Sequence, residues 1–316
     1  MTISLKIYQA PLQGFTDWVF RRTFHEVWGG VDRFFIPYIC YGKGHEIKRS
    51  QLRDVAPEHN RGMPVVPQVL FSNAAELISL AKLLIEYGYP EINLNLGCPY
   101  PMVTNKGRGS AWLPDPEKLQ GALQELFSTN LNVRFSVKLR AGLKSTGEAA
   151  PIVECLNQFP FTELIFHPRT ANQMYDGEAD KTVFAEMVPK TTIPLIYNGD
   201  INSFEDFQKL QQLSPEVNAV MIGRGLLMNP ALPLKLNGVE PDENTRREKL
   251  EEFHDTLFEA YANTLQGDGH LLQKMEQFWF YFSHSFENSH KARKLIKKAT
   301  SRAKYQQAIA EIFRTL

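Results

Sequence analysis

Short runs of β-branched and aliphatic residues recur along the first three-quarters of the chain, spaced widely enough for a helix between each pair. The alternation predicts strands near Ile7–Ala10, Phe34–Ile36, Val65–Leu70 and Glu91–Asn95. Four more are predicted near Arg134–Leu139, Glu163–His167, Pro194–Tyr197 and Ala219–Ile222. Between strands the apolar positions shift to helical spacing. Leu77, Leu80, Ala81 and Leu84 form one stripe, opened by Asn73 and Glu76 as a capping box and closed by Gly88 and Pro90. Ser203 and Asp206 cap a later helix that places Phe204, Phe207 and Leu210 on one face. About eight such units in ~235 residues have the size and rhythm of an α/β fold, the (β/α)8 TIM barrel. An open, doubly wound sheet would carry a phosphate loop after its first strand, and Ala10-Pro11-Leu12-Gln13-Gly14 is not one.

The rhythm stops at Asn237-Gly238-Val239-Glu240-Pro241, which has the glycine, proline and charge content of a linker. From Glu243 to Leu316 the sequence is helix-forming throughout, enough for three or four short helices. The expected organisation is a catalytic TIM barrel over residues 1–238 and a small all-α helical-bundle domain over 239–316.

Composition narrows the class. Lys plus Arg and Asp plus Glu both number 35, so no global charge draws the chain to nucleic acid, although a local basic patch remains open. The three cysteines, Cys40, Cys98 and Cys155, lie far apart, and the eight histidines show no ligand spacing, so neither a disulfide framework nor a metal site is expected. The N-terminus lacks the apolar run of a secretory signal, and no stretch suits a membrane span. A cytoplasmic protein with no membrane association and no obligate protein partner is expected.

Candidate chemistry sits where barrel enzymes keep it, at the strand C-termini. Gln68 closes the third strand, Asn95 and Cys98 the fourth, Lys138 and Arg140 the fifth, and His167 and Arg169 the sixth. Asn198 and Asp200 end the seventh, and Gly223 and Arg224 the eighth. One polar strand end is ordinary, because strand ends meet water; six in succession are not. Asn198-Gly199-Asp200 and Gly223-Arg224-Gly225 follow strands seven and eight, the usual phosphate corner of this fold, where Arg224 adds a bidentate cation. Lys138 and Arg140 alternate with Val137 and Leu139, so the two cations share a face. No Gly-x-Ser-x-Gly elbow supports a hydrolase triad. Cys155 lies in a helical stripe with Ile152 and Leu156 and reads as core; Cys40 reads as inert too.

Several of these segments resemble the signatures of the tRNA-dihydrouridine synthases. Ala10-Pro11-Leu12-Gln13-Gly14-Phe15-Thr16-Asp17 is similar to the family's opening loop. Asn95-Leu96-Gly97-Cys98-Pro99, with Val103, Gly107 and Gly109, is similar to its cysteine loop. Val137-Lys138-Leu139-Arg140-Ala141-Gly142, His167-Pro168-Arg169-Thr170 with Gln173 and Tyr175, Asn198-Gly199-Asp200 and Met221-Ile222-Gly223-Arg224-Gly225 complete the set in the family's order. The tail is similar only loosely, through Lys274-Met275-Glu276-Gln277-Phe278-Trp279. Leu12 stands where the family usually has Met, and Pro168 replaces a usual Gly. Ile36-Pro37-Tyr38 lacks the acidic residue often found after the second strand.

The resemblance implies an FMN-dependent oxidoreductase that reduces the C5–C6 bond of a uridine in tRNA, with NADPH as reductant. By it, Pro11, Leu12, Gln68, Lys138, His167, Asn198, Asp200, Gly223 and Arg224 would hold FMN, and Asn95 and Arg169 would meet the substrate. Cys98 would be the general acid, a role suited to a thiol that stays protonated near neutral pH. The dense basic run Lys291, Arg293, Lys294, Lys297 and Lys298 would meet RNA phosphate, although such runs are more often a solvated helix face. An FMN barrel reductase of a free small molecule is the alternative, and an RNA-binding protein on an inactive barrel a more distant one.

Overall fold

The computed structural model describes residues 5–315. Eight parallel strands close into a barrel in chain order: β1 (Lys6–Gln9), β2 (Arg33–Ile39), β3 (Val65–Val69), β4 (Glu91–Leu96), β5 (Arg134–Gly142), β6 (Phe161–Thr170), β7 (Leu195–Asn198) and β8 (Ala219–Ile222). β8 returns to pair with β1 through Tyr8 opposite Met221. Each expected strand forms. β5 and β6 run further than the alternation suggested, because Arg140 pairs with His167 and Gly142 with Thr170.

The two faces of each strand do different work. Outward residues such as Ile92, Leu94, Leu96, Val137 and Leu139 are fully buried beneath the surrounding helices. Inward residues Tyr8, Phe35, Val66, Ile165, Ile196, Ala219 and Met221 fill the barrel's middle. The N-terminal end is plugged by charge: Arg33 pairs with Glu91 at 3.3 Å and Glu163 at 3.0 Å, and Tyr8 donates to Glu163 at 2.7 Å.

Each strand is followed by a helix: α1 (Trp18–Val27), α2 (Arg49–Val55), α3 (Ala74–Glu86), α4 (Pro116–Ser128), α5 (Ala149–Leu156), α6 (Lys181–Met187), α7 (Phe204–Leu213) and α8 (Arg224–Met228). α7 opens with the full Ser203/Asp206 capping box. α3 does not: Asn73 accepts from the Glu76 N–H at 2.9 Å, but the Glu76 carboxylate turns to Ser72 and to Arg108. That pair draws the loop after β4 onto α3, a tertiary contact that outcompetes the local cap.

Among the described residues no strand follows β8. The tail is α9 (Glu243–Thr264), α10 (Asp268–Phe282), α11 (Ser289–Lys297) and α12 (Arg302–Thr315). It joins the barrel through aromatic packing: Phe253 of α9 meets Phe20 and Phe24 of α1, each with centroids 5.8 Å apart. Phe278 of α10 stacks on Phe20 at 5.6 Å. No helix among the described residues is long and apolar enough to cross a membrane.

Candidate active site

A chain of amides crosses the barrel mouth to the Cys98 loop. Asn93 donates to Ser136 at 3.1 Å, Gln68 donates to Asn93 at 2.8 Å, and Asn95 donates to Gln68 at 2.7 Å. The remaining oxygen of Asn95 accepts the backbone N–H groups of Gly97 and Cys98 at 3.0 and 2.9 Å. Asn95 thus closes an Asx turn that fixes where the strand ends and the thiol begins. The carbonyl of Cys98 accepts from the Ser110 N–H and hydroxyl, at 3.1 and 3.0 Å.

Gly109 completes this clamp. Its φ is +60°, and a Cβ there would lie 2.6 Å from the Cys98 carbonyl oxygen and 2.9 Å from its Cβ. Only glycine lets the loop's returning arm press this closely on Cys98.

The thiol is buried beside Leu70 and Val103, with Tyr38 and Cys40 packed against them. Burial pushes its pKa up, against the opposing pull of the Tyr100 N–H and the cations Arg140 and Lys138. Cys98 is therefore a protonated thiol at neutral pH. Burial pushes Tyr38 up to about 12, helped by the neighbouring thiols. Cys155 is a core residue, its thiol donating to Pro116 and its pKa about 11.

Cations converge on the rest of the mouth. Lys138 stands opposite Asn95 and Ile165, on the inward face. It has no carboxylate partner among the described residues, and desolvation, then Arg140, bring its pKa down to about 7. His167 is held well below its ordinary value by burial and then by Arg140, Lys138, Arg169 and Arg224. It is a neutral imidazole that accepts from Arg169 through Nε2 at 3.3 Å, which leaves the proton on Nδ1.

Asp200 organises the phosphate corner. It pairs with Arg169 at 2.5 Å and Arg224 at 2.9 Å and accepts the Ala179 N–H at 3.1 Å. Burial opposes its ionisation, but Arg169, the Ala179 N–H and Arg224 outweigh it and hold the carboxyl below its usual range. Arg169, only 1% exposed, is an internal brace whose Nε has no partner among the described residues. Gly223 faces the β1 loop, where an added Cβ would meet Ala10 at 3.4 Å and Leu12 at 3.5 Å. Pro11 precedes Leu12, whose N–H donates to Thr16 at 2.8 Å. Asn198 ties β7 to β8 by donating to the Met221 carbonyl at 2.8 Å.

The mouth thus gathers Lys138, Arg140, His167, Arg169 and Arg224, with the Asp200 carboxylate shared by the last two arginines. That donor set fits a ligand that carries phosphate and a ring that gains negative charge on reduction, as a flavin nucleotide does. Spacing alone did not single out Tyr175, which lies against Arg224 and Arg140 at 4.7 and 5.4 Å. It falls on a loop without periodicity, so only the family resemblance marked it.

The tail's basic run divides. Arg293, Lys294 and Lys297 line a groove of about 820 Å³ together with Phe15 of the β1 loop. Lys291 faces Glu311 at 3.9 Å, and Lys298 caps α11 on the exposed side.

The family model described as dihydrouridine synthase (Dus) matches residues 8–316. The chain belongs to the dihydrouridine synthase family. As a Dus protein it is an oxidoreductase. It is 31% identical over 228 residues to tRNA-dihydrouridine synthase B of Pasteurella multocida, covering 72% of this chain and 67% of that one. It is 28% identical over 241 residues to the tRNA-dihydrouridine(16) synthase of Pseudomonas putida, covering 73% of each. Among solved structures, histamine dehydrogenase from Rhizobium sp. 4-9 superposes with a TM-score of 0.56 at 11% identity, over 79% of this chain and 49% of that one. Morphinone reductase gives 0.52 at 12% identity, over 76% and 88%. At such identities these two show that the Dus chain shares their fold.

Proposed function

We propose that this protein reduces the C5–C6 double bond of a uridine in tRNA, with FMN as resident cofactor, NADPH as reductant and Cys98 as general acid. The observation that carries the reading is a buried, protonated thiol clamped by Asn95 and Gly109 at the rim of a cation-lined barrel mouth. Family membership supplies the reaction class.

When bound, FMN supplies the hydride equivalent delivered to C6 of the pyrimidine. Lys138, charged once an anion binds, would face the negative charge that the ring gains, and the Nδ1 proton of His167 would be a neutral donor to it. Arg224, braced by Asp200, and the backbone at Gly223 would hold the phosphate, with Asn198 and the Pro11–Leu12 loop as the remaining residues expected to hold the cofactor. Gln68 acts through Asn95, whose amide it orients. Cys98 Sγ gives its proton to C5, where electron density accumulates; the S–H bond breaks, a C–H bond forms, and the thiolate recovers a proton from water. Its raised pKa suits an acid rather than a nucleophile.

The same reading assigns residues 1–238 to catalysis and 239–316 to tRNA binding. Arg293, Lys294 and Lys297 meet phosphate within the groove and Lys291 and Lys298 beside it, while the buried Arg169, expected to meet the substrate, serves the site instead by bracing Asp200.

The test is nucleoside mass spectrometry of unmodified tRNA incubated with protein, FMN and NADPH. Dihydrouridine formed by the wild type and nearly abolished by Cys98→Ala supports the reading. A flavin-bearing, NADPH-reducible protein that leaves competent tRNA unchanged would instead favour a small-molecule reductase.

A further inference from the structure

Two grooves meet at the tail. One, of about 470 Å³, lies over the phosphate corner, with Arg169, Tyr175, Asp200 and Arg224 in its wall. The other is the basic groove along α11. They share two adjacent side chains of α10, Phe280 and Tyr281.

These two residues form a ridge between the grooves. Tyr281 is anchored edge-on to Phe15, with centroids 5.2 Å apart. Phe280 meets Tyr281 edge-on at 5.1 Å and is 48% exposed, whereas Phe278, Trp279 and Phe282 of the same run are buried in the core. Helical periodicity turns position 280 outward, so folding alone does not call for an aromatic ring there. A single exposed phenylalanine is ordinary. This one has the Arg293 guanidinium 4.4 Å from its ring centre, and Arg293, Lys294 and Lys297 have no carboxylate within ion-pair reach among the described residues. Glu276 also lines the groove, from the α10 wall, which leaves the α11 wall as the path for an anion.

An aromatic face beside unpaired cations is the arrangement that binds single-stranded nucleic acid, bases stacking on rings while cations follow phosphates. Drawing a uridine into the barrel also costs its neighbours their stacking partner.

We propose that Phe280, with Arg293 against it, is the stacking platform for an unpaired RNA base next to the uridine that enters the mouth, and that Lys294 and Lys297 hold that strand's phosphates. The proposal rests on the uridine-reduction reading. Phe280 is a positioning residue: it sets how the strand arrives and touches neither cofactor nor reacting carbon.

The experiment first locates the reduced uridine in a tRNA transcript by mass spectrometry. It then places 2-aminopurine on either side and titrates the transcript with wild-type protein and variants. Stacking quenches the wild-type complex at one flanking position. Phe280→Leu, which keeps apolar bulk without a π-face, abolishes that quench and weakens binding about tenfold. Phe280→Trp retains both, and Arg293→Ala lowers the salt slope of binding by about one. Thermal melting confirms that each variant folds. If Phe280→Leu quenches and binds as the wild type does while the wild type reduces tRNA, the platform is refuted and the enzyme stands. A wild type that neither binds nor reduces tRNA overturns the enzymatic reading and the platform together.

Discussion

Lys274 of α10 pairs with Asp17 at 3.1 Å, and through the same ammonium donates to the Gly14 carbonyl at 2.7 Å. Asp17 in turn caps α1 and accepts from Tyr261 of α9 at 2.6 Å. Two tail helices thereby hold the loop that carries Leu12 against Gly223. Lys274→Met removes the cation and leaves a half-buried carboxylate with one fewer partner. The expected cost is about 1–3 kcal/mol in folding stability, together with faster loss of bound flavin. Urea melts and the 450/280 nm absorbance ratio after gel filtration check both. Unchanged values in the two would show that the tail does not support the loop. Lys274→Arg, which keeps the charge, should recover most of the loss.

Little of that latch is legible in sequence, and the reason is physical. The eight strands were readable because β-branched residues alternate or run together where both faces are buried, as Ile92, Leu94 and Val137 show. Polar strand ends were readable because Lys138 and His167 break apolar runs. Asn95 and Cys98 fall in one turn, so their proximity follows from spacing. The contacts of Lys274 with Asp17 and of Arg108 with Glu76 join residues far apart in the chain, where no periodicity reports them. Phe280 was hidden for a different reason: within Phe278-Trp279-Phe280-Tyr281-Phe282 every residue is aromatic, and only the packed helix reveals which ring is left out.

Gly109→Ala tests how tightly the cysteine loop is held. The new methyl would fall 2.6 Å from the Cys98 carbonyl oxygen, at a φ of +60° that disfavours a side chain. One arm must move, and the Asn95 turn fixes the other. The thiol is therefore displaced relative to the mouth, and a misplacement of about 1 Å can cost on the order of a hundredfold in rate. Single-turnover reduction of tRNA should fall by that order while flavin content stays near wild type. A rate within a factor of two of wild type would show that the loop relaxes without moving Cys98.

The pH profile should identify the thiol. Burial, the largest influence, places the Cys98 pKa above its ordinary value despite the Tyr100 N–H and the nearby cations. The active form of a general acid is the protonated one, so activity is lost as pH rises through that pKa. The proton-transfer rate should stay flat through neutrality and decline only above the ordinary thiol range. Cys98→Ala should slow it by roughly 10²–10⁴-fold. Cys98→Ser, with a hydroxyl that does not ionise in water, should be slow and lack the alkaline limb. An alkaline limb that persists in Cys98→Ser would assign the titration to another group.

Lys138 gives a prediction for the protein without flavin. Its folded pKa is about 7, lowered first by desolvation and then by Arg140, while an unfolded lysine titrates near ~10.4. Between those values the unfolded chain binds a proton that the folded chain does not. Stability of the flavin-free protein should therefore rise with pH across that window, by up to ~1.4 kcal/mol per unit from this group. Below about pH 7 both states are protonated and the full cost of the buried charge remains. Lys138→Met removes the group, so the variant should be more stable than the wild type near neutral pH and lack this part of the slope. An anion bound beside Lys138 restores the charged form, so flavin binding near pH 8 should take up a proton in the wild type and not in Lys138→Met. Urea melts between about pH 7 and 9, and calorimetric titrations with FMN in buffers of different ionisation enthalpy, measure the two effects. Parallel stability curves with no difference in proton uptake would mean that Lys138 meets water rather than the cofactor.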